Sequence, residues 1–377
     1  MQLPLSGITV LEFDQYLSGP CAGLRLADLG ARVIKIERPI TGESGRKLAI
    51  KNMWVEENSL LFHTINRNKE SFTADFNNPE DMQVLSLLIK KAQVMLHNFR
   101  PGIMERKGLG YKEVAAINPS IVYAQITGYG ATGEWMGKPG QDLLIQSMSG
   151  LAYTTGSASH NPVPLGLGIG DYLCGNQAVQ FILAALINTA KSGQGAFLEM
   201  SLLESLIDFQ FEFLTTYFNG GGLPLRAKKD NAHALLSAPY GIYKTIDGYI
   251  AVAMMPLQQL NKALRCEKLD RFKEEEAFVR RDEIKSVIAD HIITQNTDHW
   301  LAKAKPHDLW MAPVLNWRQL KQRKGYQVLD MEQEVRLPSG HTFITTRCPL
   351  RIDREKLYNP KPAPVAGQDT DKIKNSL

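Results

Sequence analysis

Two short apolar runs decide the fold of this 377-residue chain, Ile8-Thr9-Val10-Leu11-Glu12-Phe13 and Val33-Ile34-Lys35-Ile36-Glu37. Between them, a turn at Ser18-Gly19-Pro20 leads into a helical pattern that stops at Gly30. Proline at a helix start and glycine just past its end are the usual boundary residues. A strand, a helix and a strand within about thirty residues form a βαβ unit, which has parallel strands and a right-handed crossover. The opening therefore predicts a parallel α/β sheet.

The same alternation continues along the chain. The pattern predicts strands at 71–76, 94–96 and 121–126, and helices at 78–92, 111–118 and 172–189. Strands that alternate with helices favour a Rossmann-like, doubly wound parallel sheet over at least the first two hundred or so residues. The sequence predicts an α/β fold of this kind.

The sequence pattern changes after a long helix predicted at 197–217. A strong breaker follows at Asn219-Gly220-Gly221-Gly222-Leu223-Pro224, and residues 240–253 have the pattern of a hairpin. Charged helices are predicted between 257 and 305. We therefore expect a large Rossmann-like, ligand-binding domain at 1–224, a smaller α+β domain at 225–325, and a C-terminal segment at 326–377 that packs back on the large domain.

The composition excludes several classes of protein. With 44% hydrophobic and 22% charged residues, the chain is expected to be soluble and globular. We expect no membrane-spanning run, and Met1-Gln2-Leu3-Pro4 begins no signal peptide. The four cysteines are scattered, which favours a reducing compartment such as the cytoplasm. The eight histidines form no HxxxH or HxH spacing, so no metal is expected, and a net charge of +4 without a basic tail argues against nucleic acid.

Two familiar motifs are absent or misplaced. Gly128-Tyr129-Gly130-Ala131-Thr132-Gly133 matches GxGxxG, but the residues after it, through Gly140, cannot open the helix that a dinucleotide fingerprint needs. No GxSxG nucleophile elbow is present either. A nicotinamide dehydrogenase and a serine hydrolase are both disfavoured.

Gly166-Leu167-Gly168-Ile169-Gly170-Asp171 is the stretch that points to chemistry. It places one carboxylate at the end of a glycine-rich loop, just before the long helical pattern at 172–189. Glycine lets a backbone approach a ligand closely, and a helix start supplies unpaired N–H groups and positive dipole charge. Asp171 is therefore either a plain N-cap residue or a carboxylate held against a reactive group.

Cations and an aromatic residue follow two of the predicted strands. Arg38 comes directly after one strand, and Asn98-Phe99-Arg100 comes after another, with Arg106 slightly further on. Open α/β sheets bind ligands at the carboxyl ends of their strands. Arginine can hold a phosphate bidentately, and an aromatic ring can stack on a nucleotide base. Each arginine alone is also compatible with a solvated surface charge.

An ordered series of motifs is similar to the family III CoA-transferases over essentially the whole chain. The resemblance rests on Val10-Leu11-Glu12-Phe13, Ser18-Gly19-Pro20, Ala27-Asp28-Leu29-Gly30-Ala31, Val33-Ile34-Lys35-Ile36-Glu37-Arg38-Pro39, Asn66-Arg67-Asn68-Lys69, Asn98-Phe99-Arg100-Pro101-Gly102, Thr127-Gly128-Tyr129-Gly130, Gly170-Asp171, Gly195-Ala196-Phe197-Leu198-Glu199-Met200-Ser201, Ala312-Pro313-Val314 and Gly367-Gln368-Asp369-Thr370. No single motif is specific, but the order and spacing are.

The resemblance implies a transfer of CoA from an acyl-CoA to a carboxylic acid, with Asp171 as the catalytic residue that forms a covalent aspartyl intermediate. An aspartate with its ordinary pKa of about 3.9 is ionised at neutral pH, so we expect no activating base. CoA is then a moiety of the substrate, and no permanently bound cofactor is implied. The resemblance places these residues at CoA-contacting positions: Arg38, Ala74, Asn77, Asn98, Phe99, Arg100, Arg106 and Lys138. It further implies an interlocked homodimer.

Departures from the family pattern keep two alternatives open. α-Methylacyl-CoA racemases share the fold but need an acid/base histidine where this chain has Gln141, and glutamine cannot shuttle a proton. A catalytically idle acyl-CoA-binding protein is the other alternative. Asn77 stands where relatives often carry lysine, and Leu17 stands where formyl-CoA transferase carries glutamine. Asp142 is either a second active-site carboxylate or a turn residue. The donor and acceptor acids are not identified by the sequence.

Overall fold

The structure is a computed structural model that describes residues 2–377. Its strands are β1 Thr9–Phe13, β2 Arg32–Glu37, β3 Trp54–Val55, β4 Asn58–Ser59, β5 Glu70–Thr73, β6 Val94–His97, β7 Val122–Thr127, β8 Ala196–Ser201, β9 Gly241–Lys244, β10 Tyr249–Val252, β11 Met311–Pro313, β12 Glu332–Arg336, β13 Thr342–Thr346, β14 Arg351–Ile352 and β15 Glu355–Lys356.

Its helices are α1 Ser18–Asp28, α2 Leu60–Asn66, α3 Pro79–Lys91, α4 Ile103–Arg106, α5 Tyr111–Ile117, α6 Asp142–Met148, α7 Leu151–Thr154, α8 Ile169–Ser192, α9 Leu202–Phe209, α10 Phe211–Thr216, α11 Leu257–Leu264, α12 Arg281–Ile292, α13 Thr297–Ala304, α14 Trp317–Lys321, α15 Lys324–Leu329 and α16 Thr370–Lys374.

A six-stranded parallel sheet in the order β5-β2-β1-β6-β7-β8 confirms the predicted α/β fold. Strand β1 is central, and its Val10 pairs with Val33 of β2 on one side and Val94 of β6 on the other. All three valines are fully or almost fully buried. Strands covered by helices on both faces carry such continuous apolar runs, which is why the opening residues are so informative.

The prediction of a long helix at 197–217 is wrong. Residues Ala196–Ser201 form the sixth strand, β8, and two shorter helices, α9 and α10, follow. Gly195 makes the strand possible, because a Cβ there would lie 2.1 Å from the carbonyl oxygen of Ile121. The backbone can therefore come close to the edge of the sheet and pair with β7, which outweighs the helical preference of the segment.

Helix α8 runs beyond the predicted 172–189 at both ends and stops at Gly193, which has a φ of 72°. Among residues 2–377, it is the one helix long and apolar enough to span a membrane by length and composition, with a mean hydropathy of 1.2. The expectation that no apolar run reaches this length is therefore wrong. In the structure, α8 packs along α1, β7 and β8.

Contacts divide the chain into two units. The first comprises residues 2–145, 167–209 and 330–377 and contains the large sheet. Its C-terminal residues lie beside β5, where the Ser71 N–H donates to Asp369 Oδ2 at 2.9 Å and the Asp369 N–H donates to the Ser71 carbonyl at 3.0 Å. The C-terminal residues thus pack on the large sheet.

The second unit comprises residues 146–166 and 210–329. Its antiparallel sheet, in the order β11-β10-β9, contains the hairpin that the sequence predicts at 240–253. Tyr243, Ile250, Leu260, Ile284 and Ile288 belong to its apolar core. The predicted domain boundaries at 224/225 and 325/326 remain predictions.

A buried carboxylate ties the first unit together. Glu12 on β1 is fully buried, and its Oε1 accepts hydrogen bonds from Lys35 Nζ at 2.8 Å and Lys69 Nζ at 3.0 Å. Helix α1 packs directly over it, because a Cβ at Gly23 would lie only 1.7 Å from Glu12 Oε2. Only glycine at position 23 leaves room for this carboxylate.

Gly23→Ala should therefore destabilise the protein by about 3 kcal/mol, since the new methyl group collides with a buried, ion-paired carboxylate that cannot move away freely. Urea unfolding followed by circular dichroism measures the loss. Gly137→Ala is the matched control, because no atom lies within 4 Å of a Cβ at that exposed glycine. Equal stability of the two variants would contradict the packing described for Gly23.

Candidate active site

Asp171 lies in the first turn of α8, whose N-cap residue is Gly168. It is the third residue of the helix, so the interpretation of Asp171 as the N-cap is wrong. Its carboxylate is half-buried and accepts no hydrogen bond from the residues that the structure describes. The sequence places a carboxylate here, and the structure leaves that carboxylate available for another group.

Asp142, at the start of α6, takes the role of capping α8. Its Oδ1 accepts hydrogen bonds from the Gly170 N–H at 2.7 Å and the Asp171 N–H at 3.3 Å. A Cβ at Gly170 would lie 3.0 Å from the same oxygen, so glycine allows the close approach. Asp142 is thus more than a turn residue, since it fixes the backbone that carries Asp171.

The glycine motif at 128–133 helps to deliver Asp142. The chain bends after β7, and a Cβ on Gly128 would lie 2.7 Å from the Gly140 Cα. Two glycines therefore let the two ends of this loop touch, just before α6 begins at Asp142. The motif closes a loop and opens no helix of its own, as the sequence predicts.

The pKa of Asp171 is raised to about 7, first by burial and then by the nearby charge of Asp142. Burial disfavours the charged form of a carboxyl group, and a like charge has the same effect. The expectation of an ordinary pKa near 3.9 is therefore wrong. Both the ionised and the protonated form of Asp171 are therefore populated at neutral pH.

Two cysteines close to this region are buried thiols. Burial raises the pKa of Cys21 to about 12 and that of Cys174 to about 11. A thiol needs to be deprotonated to act as a nucleophile, so both are inert at neutral pH. Of these three side chains, Asp171 is the one whose pKa lies near neutral pH.

A pocket of about 340 Å³ lies at the carboxyl ends of β1, β2, β5 and β6. Four of the residues predicted to contact CoA line it, namely Arg38, Ala74, Asn77 and Phe99. These residues follow three different strands, so the parallel topology brings them together as expected. A pocket thus lies at the edge of the sheet where the sequence predicts a ligand site, and the binding of a ligand there stays a prediction.

The loop after β1 connects this pocket to Asp171. Gln15 lines the pocket. Two residues later, Leu17 lies against Gly168, since a Cβ on Gly168 would be 2.9 Å from Leu17 Cδ2. The same Cβ would be 3.9 Å from Asp171 Oδ2. The predicted contact residue Asn98 holds this loop. Its Oδ1 accepts from the Gln15 N–H at 2.9 Å, and its Nδ2 donates to the Gln15 carbonyl at 2.7 Å.

The other predicted contact residues lie elsewhere on the first unit. Arg100, Arg106 and Lys138 are exposed, and the structure does not place them among the residues that line the pocket. The Lys138 ammonium lies 5.8 Å from the centre of the Trp135 ring. The roles of these three cations stay predictions.

Lys107 and Asp14 are among the pocket residues that the sequence analysis does not identify. Lys107 lines the wall, and its Nζ donates to Asn77 Oδ1 at 2.8 Å. It follows Arg106 directly, so the basic pair was the available signal. Asp14 also lines the pocket and is almost fully buried. Burial, then the charge of Glu12, raises the pKa of Asp14 well above its ordinary value.

The fold and the site define a doubly wound α/β protein with a ligand pocket at the sheet edge and a separate, accessible carboxylate. Comparison with known proteins gives the family. The sequence matches CoA-transferase family III over residues 5–370. The chain belongs to this family, and it is a CoA-transferase.

Relatives and solved structures agree with this assignment. A succinate–glutarate CoA-transferase of Agrobacterium fabrum is 28% identical over 97% of this chain and 93% of the relative. The human succinyl-CoA:glutarate CoA-transferase is 29% identical over 98% of this chain and 85% of the relative. The crystal structure of a CAIB/BAIF family protein from Brucella suis superposes with a TM-score of 0.85, at 28% identity and 100% coverage of both chains.

Asp142→Asn should lower the pKa of Asp171 below about 7, because it removes the like charge and keeps an oxygen that can accept from the Gly170 N–H. Titration of the aspartate carboxyl carbons by ¹³C NMR measures the shift. The burial contribution remains, so the pKa should stay above the ordinary value. An unchanged pKa in this variant would show that the Asp142 charge does not act on Asp171.

Proposed function

We propose that Asp171 transfers CoA between two carboxylic acids through covalent aspartyl intermediates. One observation carries the proposal: the accessible Asp171 carboxylate lies beside a loop whose other end lines a cation-bearing pocket. The pocket suits the nucleotide end of CoA, and the loop at 14–17 leads from there toward the carboxylate. A CoA thioester bound along this path would present its acyl carbon to Asp171.

The proposed first half-reaction makes and breaks one bond at a time. The Asp171 carboxylate attacks the thioester carbonyl, the C–S bond breaks, and a mixed anhydride and the CoA thiolate result. The thiolate then attacks the aspartyl carbonyl of the anhydride, and the donor acid leaves as its carboxylate. CoA is now held as a thioester of Asp171, and the total charge is unchanged.

The second half-reaction reverses these steps with another acid. The acceptor carboxylate attacks the aspartyl thioester, which releases the thiolate and forms a second anhydride. The thiolate attacks the acceptor's carbonyl, which produces the new acyl-CoA and restores the Asp171 carboxylate. Covalent catalysis of this kind divides one difficult exchange into easier steps.

The names of the relatives suggest the first acids to test. The Agrobacterium and human proteins are named for succinate or succinyl-CoA and for glutarate, and we propose short dicarboxylic acids as substrates of this chain as well. Succinyl-CoA with glutarate is the first pair to assay. Racemisation is not supported, because the exposed Gln141 offers no group that transfers protons at neutral pH.

Asp171→Asn should abolish exchange of labelled succinate into succinyl-CoA, with a loss of about a thousandfold or more expected for removal of a covalent nucleophile. With the native protein, succinyl-CoA followed by hydroxylamine should convert Asp171 to a hydroxamate that peptide mass spectrometry locates. Asp208→Asn, which changes an exposed carboxylate on α9, is the matched control and should retain both activities.

The proposed route fails if Asp171→Asn exchanges label at the native rate, or if the hydroxamate forms at another carboxylate. Exchange of the α-proton of an acyl-CoA with deuterated solvent, without any transfer, would instead favour the racemase alternative. Binding of CoA without exchange or adduct over the whole acid panel would favour an idle binding protein.

We also propose a cytoplasmic homodimer, as the family resemblance implies. Helix α8 supports it, because Tyr172, Phe181 and Ile187 expose large apolar side chains on one helix. All four cysteines are free and buried, which agrees with a reducing compartment. Light scattering should give a mass of twice 42.1 kDa for the purified protein. A single species at the monomer mass at micromolar concentration would contradict the dimer.

A further inference from the structure

The charges that line the pocket at the sheet edge are not balanced among themselves. Its wall contains two cations, Arg38 and Lys107, and neither forms an ion pair with any residue between 2 and 377. Cations left unpaired in a pocket raise the local concentration of anionic ligands. The question is therefore whether the acidic residues of the same wall neutralise them.

Three carboxylates of the same wall have other partners. Glu37 Oε1 lies 2.6 Å from Arg46 Nη2, and Glu43 Oε2 accepts a hydrogen bond from the Gly45 N–H at 2.6 Å. Asp75 Oδ1 accepts from the backbone N–H and the side-chain amide of Asn77 at 2.9 and 3.0 Å. Asp14 is almost fully buried, and burial raises its pKa well above the ordinary value. Among the residues that the structure describes, no carboxylate of this wall forms an ion pair with Arg38 or Lys107, so both cations remain for an anionic ligand.

Lys107 is held in place for such a ligand. It is the C-cap residue of α4 and is half-buried, and its Nζ donates one hydrogen bond, to Asn77 Oδ1 at 2.8 Å. Within the described chain, the ammonium group has no other hydrogen-bond partner. An ammonium group has three donors, so two remain for a ligand. The preceding residue, Arg106, is exposed and does not line the pocket.

The rest of the wall suits a nucleotide. Phe13, Phe76 and Phe99 supply aromatic surface, and the rings of Phe13 and Phe76 lie 5.9 Å apart. Aromatic side chains stack on nucleobases, while lysine binds phosphate as a point charge. The volume of about 340 Å³ lies within the range of small-molecule pockets.

We propose that Lys107, held by Asn77, binds a phosphate group of the nucleotide part of CoA and so determines the affinity of the enzyme for CoA thioesters. This inference rests on the proposed CoA site. CoA carries a 3′-phosphate and a 5′-diphosphate, and both have the chemistry that the ammonium group recognises. The experiment below distinguishes them.

The test measures the dissociation constants of CoA and 3′-dephospho-CoA by isothermal titration calorimetry with the full chain. Lys107→Met keeps the length of the side chain and removes its charge. It should weaken CoA binding about tenfold, as expected for the loss of one charge-assisted hydrogen bond. Lys107→Arg should recover part of the loss. Lys112→Met, at an exposed lysine on α5, is the matched control and should bind CoA like the native protein.

A loss confined to CoA would place Lys107 at the 3′-phosphate, and an equal loss for both ligands would place it at the diphosphate. Native affinity of Lys107→Met for both ligands would overturn the proposal, as would an equal loss in Lys112→Met. Circular dichroism and the melting temperature show that each variant is folded. If the native protein binds neither ligand, the proposed CoA site itself fails, which is a different result from normal binding by the Lys107 variant.

Discussion

The buried Glu12 carboxylate is the interaction on which the rest of the site depends. It joins β1 to β2 through Lys35 and to the residue before β5 through Lys69. Helix α1 passes so close that position 23 must be glycine. Because α8 packs along α1, the position of Asp171 follows from this ion cluster. Removal of one partner would leave a buried charge uncompensated, which is far more costly than the net stability that the cluster provides.

The neighbouring Asp14 shows how the cluster avoids an excess of negative charge. Burial and then the nearby charge of Glu12 disfavour the ionised form of Asp14, so its pKa is raised well above the ordinary value. Its side chain also requires a glycine, since a Cβ at Gly19 would lie 2.1 Å from Asp14 Cγ. The glycines of α1 thus make room for two buried acids, and the start of this helix is fixed next to the loop that faces Asp171.

The sequence predicts the framework better than it predicts the electrostatics. Apolar runs such as β1 are decisive because a parallel sheet is usually covered on both faces. The sequence pattern predicts helix where β8 lies, because the pairing of β8 with β7 is a tertiary contact. Asp171 stood out through its glycine neighbours. Its raised pKa was missed because it comes from burial and from Asp142, which is distant in sequence. Lys107 was missed because a lysine beside an arginine is ordinarily a surface charge, and only the fold brings it to Asn77.

The raised pKa of Asp171 has a consequence for the proposed covalent route. In the mixed anhydride, the thiolate can attack either carbonyl, and the better leaving group is the carboxylate of the stronger acid. A donor acid has a pKa of about 4 when it is solvated like a free carboxyl group. Asp171, at about 7, is the poorer leaving group. Collapse of the anhydride is therefore biased toward release of the donor acid and retention of CoA on Asp171. The same bias opposes the last step of the proposed second half-reaction, in which Asp171 is the leaving group. The burial and the Asp142 charge would thus favour the enzyme state that holds CoA as a thioester of Asp171.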